Sequence, residues 1–267
     1  MIIEENLNSW EELQVKINIL IDSLGEKSEK VLFRGQSNSS WKIDTTLERN
    51  LKQPITLKRY YRFAYTAKTR LETLVNTSWD IPTPPEYEQW LKDKDVLTFY
   101  DMPGYDYLAY LRHHGFPSPF IDWTASPYIA SFFAFNSCTP SENTFVSVYC
   151  YLEHAAVGKS RSSDKPSIYV FGPYAKIHKR HVLQQSQYSI CVEIDKENNE
   201  IYANHELVLT INEEKQDKLW KFNVPSTERN QALKSLNKMN INSYSLFGTE
   251  DSLIETISTN EIIKNEL

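Results

Sequence analysis

The chain has 267 residues, 40% hydrophobic and 24% charged, with a formal net charge of -6. It is long enough to bury a substantial core and too poor in positive charge to hold nucleic acid by bulk phosphate neutralisation. Only seven glycines occur, about a third of the usual frequency of roughly 7%, and G-x-G-x-x-G, G-x-x-x-x-G-K-[ST] and G-x-S-x-G are all absent, which excludes the ordinary glycine-rich phosphate loops and the nucleophile elbow.

In chain order, Ser9 and Glu12 form a capping box for a first helix that carries Trp10, Leu13, Ile17, Leu20 and Leu24 on one face and stops at Gly25. A strand through Val31, Leu32 and Phe33 leads into Arg34-Gly35. Residues 56 to 75 place Leu57, Tyr60, Tyr61, Ala64, Leu71 and Leu74 on one helical face, and "DIPTPPEYE" then breaks the chain with three prolines. Short helices are predicted over 86–92 and 105–113, the second closed by Gly115. Phe120, Ile121 and Trp123 read as a buried strand, followed by Ser126 as N-cap, Pro127 in the first turn and the apolar helix "YIASFFAF". Further strands are expected at "TFVSVYCYL", "SIYVF", "YSICVEI" and "ELVLTI", with "KENNE" as a turn. A helix at "STERNQALKSLNKM" with Leu233, Leu236 and Met239 in register, a strand through "INSYSLF" and a last helix from Thr249 complete the chain. The pattern predicts an α+β fold with a mixed or antiparallel central sheet flanked by helices, in one domain over 1–267 whose 50–110 region is a helical insertion.

Cys138, Cys150 and Cys191 have no C-x-x-C spacing, adjacent His113 and His114 have no second spaced pair, and "MIIEENLNSW" carries no basic and apolar leader. No uninterrupted apolar run approaches a membrane span. A cytoplasmic chain without a metal site or membrane contact is expected. Polar groups concentrate at Arg34 and in the series His113, His114, Asp122, Thr124 and Ser126 around the central strand-to-helix turn. Singly, Thr124 and Ser126 read as caps, Asp122 as a turn acceptor and the histidines as a polar helix end. Together they lie where a strand end and a helix N-terminus hold an anion or nucleotide. Arg34 would then point into a pocket, while Gly35 lets a ligand or a neighbouring chain come close. Trp123, Tyr128 and Phe132 at their spacing read as core before they read as a stacking surface. The basic stretch "AKIHKRH", 175–181, reads first as a solvated loop.

"LFRGQSNSSWKIDTTLER" and "HHGFPSPFIDWTASPYIASFFAF" resemble the FRG domain family, through Phe33, Arg34, Gly35, His113, Gly115, Pro117, Asp122, Trp123, Thr124, Pro127, Ala130 and Ala134. "RHVLQQSQYSI", with Arg180 and Gln184 or Gln185, and "LWKFNVPSTERNQALKSLNKMNINSYSLF" extend the likeness over about 28–257. Arg112 stands where the family has Gln, Ser118-Pro119 where it has Thr-Arg, and Asn240 where it favours Gly. The family's layout is similar in turn to that of NAD-consuming ADP-ribosyltransferases, with an Arg-Gly strand, a Ser/Thr-rich strand running into a small-residue helix, and a later strand bearing Glu or Gln. That resemblance implies an ADP-ribosyltransferase-like toxin or defence effector, with NAD as co-substrate, a macromolecular acceptor such as RNA or DNA held with help from 175–181, and an antitoxin partner. It implies catalytic roles for Arg34, His113, Gln185 and Glu206, with Glu193 a further candidate to face the ribose. NAD would be bound by Arg34, Gly35, Asp122, Thr124, Ser126 and Tyr128. The other reading is a non-catalytic module that binds or senses a nucleotide.

Overall fold

A computed structural model describes residues 2–93, 101–153, 166–172, 179–210 and 217–266. Its strands are β1 (Ile2–Asn6), β2 (Val31–Gln36), β3 (Ile121–Thr124), β4 (Phe145–Leu152), β5 (Ser167–Phe171), β6 (Ser186–Ile194), β7 (Glu200–Tyr202) and β8 (Lys218–Pro225). They form one open, mixed sheet in the order β1-β8-β4-β2-β3-β6-β5, with β7 on β6. β1 runs parallel to β8, and the other ladders are antiparallel. The expected α+β class with a mixed central sheet is the one observed.

Side-chain alternation gives the sheet two different faces. On one, Leu32, Trp123, Tyr149, Tyr151, Ile168 and Cys191 share a single core that crosses from β4 to β5. The other face is divided. Val31 and Phe33 pack with α1 (Trp10–Leu24), α6 (Pro127–Asn136) and α9 (Arg229–Lys238). Tyr169, Tyr188 and Ile190 pack with α3 (Leu57–Val75), α4 (Pro84–Asp93) and α5 (Tyr105–His113). The boundary between these two cores falls between β2 and β3.

Local chemistry explains most helix ends. Ser9 Oγ accepts from Glu12 N at 3.1 Å, a cap worth about 1 kcal/mol, but the Glu12 carboxylate reaches Asn8 N (2.7 Å), so the expected box closes one residue early. Ser126 caps α6, with Pro127 in its first turn, and Thr249 caps α11 (Glu250–Glu266). Among the described residues no helix is long and apolar enough to cross a membrane.

Three expectations are corrected. "ELVLTI" does not form a strand: His205–Thr210 is helix α8, started by Asn204 Oδ1 accepting from Glu206 N, and it buries His205, Val208 and Leu209 at helical spacing. "INSYSLF" is helix α10 (Ser243–Phe247), with an Asn242/Ser245 capping box and Gly248 in the left-handed region at its end. Leu74 is 82% exposed, because the buried face of α3 is carried by Leu57, Tyr60, Tyr61 and Ala64. Strands β1, β7 and β8 and helices α2 (Thr46–Asn50) and α7 (Lys179–Leu183) were not among the predicted elements, the last falling where the sequence reads as a loop.

Candidate functional site

The motif Phe33-Arg34-Gly35 meets three different surroundings within one strand. Phe33 enters the α6 core and is 3% exposed. Gly35 faces α6 so closely that a Cβ there would lie 1.9 Å from the Ala130 carbonyl oxygen and 2.6 Å from Ala134 N, contacts no side chain can make. The residues that let helix and strand touch are therefore Gly35, Ala130 and Ala134 as a set. Between them in sequence, Arg34 points to the opposite face.

There the sheet opens. One edge of β2 pairs with β4 from Val31↔Leu152 to Gln36↔Ser147, whereas the other meets β3 through the single pair Phe33↔Thr124. Past that pair lies a cavity of about 490 Å³, lined by Arg34, Gly35 and Gln36 from β2 and by Asp122, Trp123 and Thr124 from β3, a volume suited to a small-molecule ligand. Arg34 Nη1 donates to the Asp122 carbonyl at 2.8 Å, so a side chain supplies the contact that a continued ladder would have made. Thr124 Oγ1 donates to the Gln184 carbonyl (2.7 Å) and accepts from Ser126 N (3.1 Å), fixing the turn into α6.

The cavity is strongly cationic. Arg34, Lys42, Arg49, Arg112 and Arg180 line it, against one carboxylate among the described residues, Asp122, which Arg112 Nη2 holds at 2.5 Å. Burial presses the Arg34 guanidinium below its ordinary pKa, Asp122 supports its charge, and Arg112 and Arg49 oppose it. The Nε donors of Arg34 and Arg112 are buried without hydrogen-bond partners among the described residues, which costs about 1–3 kcal/mol each. An anion in the cavity would screen the repulsion among these guanidinium groups, so the arrangement suits phosphate oxygens. His113 Nε2 lies 2.5 Å from Tyr188 Oη. Burial raises the Tyr188 pKa, so the phenol keeps its proton.

Of the residues predicted for this site, Arg34, Gly35, His113, Asp122 and Thr124 line the cavity together. Gln185 does not: it is exposed with φ 48°, and its neighbours Gln184 and Ser186 line the wall instead. Glu206 sits on helix α8 and accepts from Ile43 N at 3.2 Å behind the lining. Glu193 borders a separate cavity with Glu48 and Asn204. Ser126 acts as the α6 cap, and Tyr128 packs against the α1/α6 core. Of the basic stretch, 175–178 lies outside the described residues; Arg180 lines the cavity with its guanidinium 5.3 Å from the Phe247 ring centroid. Gln36, Trp41, Lys42 and Arg49 are among the lining residues not anticipated. Their signal was present, since all four belong to the same 18-residue stretch as Arg34.

The model of the FRG domain family matches residues 29–143. No curated protein and no solved structure matches the chain.

Proposed function

Since residues 29–143 are an FRG domain and contribute all but four of the described residues lining the cavity, we propose that the chain binds NAD there and transfers ADP-ribose to a macromolecule, as a toxin or defence effector. One observation carries this reading. The Arg-Gly strand and the Thr124 strand running into α6, two of the three parts in which the sequence resembles ADP-ribosyltransferases, border one cationic cavity, and Gln184 and Ser186 at the entry to β6 complete its wall.

In the proposed reaction Arg34 and Arg112 hold the diphosphate. The nicotinamide–ribose bond breaks with its electron pair leaving on nicotinamide, and the ribose carbon gains oxocarbenium character. An acceptor lone pair forms the new bond and its proton leaves to a base. The lining offers Asp122 and His113 for that proton, and Asp122 with the Gln184 amide dipole for the developing positive charge. RNA or DNA as acceptor and an antitoxin as partner belong to the same proposal.

The test is incubation of the purified protein with labelled NAD and RNA, single-stranded DNA or protein. Label on one acceptor, lost in Arg34→Ala, is the expected result; neither transfer nor NAD consumption would overturn the enzymatic reading. A second reading, a nucleotide-binding module without catalysis, is favoured by one observation: among the described residues no glutamate lines the cavity. Calorimetric binding of NAD or ADP-ribose without turnover is its signature.

A further inference from the structure

Of the six tryptophans, Trp41 alone is exposed. It is 53% accessible, stands on the lining of the cationic cavity beside Lys42 and Arg49, and stacks on no other ring among the described residues. Leaving so large an apolar surface in water forgoes burial that tryptophan usually finds.

Its backbone is nevertheless held on both sides. Ser39 N donates to the Phe145 carbonyl (2.8 Å) and Trp41 N to the Asn38 carbonyl (3.2 Å). The Trp41 carbonyl accepts from Tyr149 Oη (3.4 Å), the Lys42 carbonyl from Gln36 Nε2 (3.2 Å), and Ile43 N donates to Glu206 Oε1 (3.2 Å). Gln36, Tyr149 and Glu206 therefore fix a solvent-facing indole rather than one that packs. A rigid aromatic beside cations is the arrangement that takes the flat face of a base while its phosphate is neutralised.

We infer that Trp41 is the stacking platform for a nucleobase whose attached phosphates lie among Arg34, Arg49 and Arg112. The inference rests on the cavity being a nucleotide site and adds where the base goes. The base can belong to a free nucleotide or to a nucleic-acid strand; the chemistry at Trp41 is the same. Glu206 acts here as a positioning residue, through Ile43.

Calorimetry on the full chain with pyrophosphate, ADP and a single-stranded octanucleotide separates these terms. Wild type should bind ADP more tightly than pyrophosphate. Trp41→Ala should weaken the base-bearing ligand about ten- to a hundredfold while changing pyrophosphate affinity less than about twofold, and Trp41→Phe should restore most of the loss. Trp41 is exposed, so the variants should keep the wild-type thermal midpoint. Loss confined to ADP assigns the base to a free nucleotide, and loss confined to the octanucleotide assigns it to a strand; either supports the platform. ADP and octanucleotide affinities both indifferent to Trp41→Ala overturn it while leaving NAD turnover untouched. Absence of both pyrophosphate and ADP binding in the wild type overturns it together with the nucleotide-site reading.

Discussion

The two edges of β2 behave oppositely. Toward β4 every residue from Val31 to Gln36 has a registered partner, and the facing side chains are packed between helices and sheet. Toward β3 there is one pair, and the strand beyond it carries a guanidinium instead of a ladder. The zipped edge fixes where the backbone of Arg34 lies, and the open edge provides the space into which its side chain reaches. A site of this kind needs both: a rigid wall without an opening would be core, and an opening without the wall would not hold five cations in place.

Substitutions can break each edge separately. The largest effect is expected from Gly35→Ala, which forces a methyl group into the Ala130 carbonyl: a loss of at least about 3 kcal/mol in urea unfolding. Arg34→Ala spares that contact and should change stability by no more than about 1 kcal/mol, because the lost hydrogen bond is offset by relief from Arg112 and Arg49. Pyrophosphate affinity should nevertheless fall about a hundredfold by calorimetry, as expected for a charge-assisted contact of about 3 kcal/mol. Asp122→Asn removes the one lining carboxylate among the described residues. Its ion pair with Arg112 is partly exposed, so the stability loss should be about 1 kcal/mol or less, while pyrophosphate should bind several-fold more tightly. The smallest effect belongs to a fully paired edge far from the seam. Hydrogen bonds from Lys221 and Asn223 hold the Glu4 carboxyl below its ordinary pKa, so its contribution is present above the unfolded pKa and disappears as pH falls through the folded one. Glu4→Gln should cost a few tenths of a kcal/mol at neutral pH, screened by solvent, and nothing in acid, as denaturant titrations at both pH values will show.

What was legible in the sequence follows the same division. Elements whose side chains answer to local chemistry were readable: α1 through Ser9 and its apolar stripe, α6 through Ser126 and Pro127, β4 through its alternation. β1 was not, because its residues are largely exposed and its only definition is parallel pairing to β8, more than two hundred residues along the chain. "ELVLTI" and "INSYSLF" read as strands because a short stretch rich in apolar residues fits a strand or a helix turn equally well. The deciding signals were Asn204 and Asn242, both capping residues at the N-termini of these helices. At the site, Arg34, Asp122 and Thr124 were recognisable from their motifs. Glu206 was given a chemical role on the premise of a strand, and the helix turns its carboxylate onto a backbone amide instead. Arg49 and Trp41 gave no periodic signal, since their importance depends on a cavity that only the diverging strands create.

The Arg34 guanidinium donates to main chain, not to another side chain. Every amino acid brings the same carbonyl oxygen, so Asp122→Asn keeps the acceptor opposite the guanidinium while removing the carboxylate that supports its charge. What such a substitution alters is the counter-charge on the cavity lining, so ligand preference can be tuned without moving the anchor.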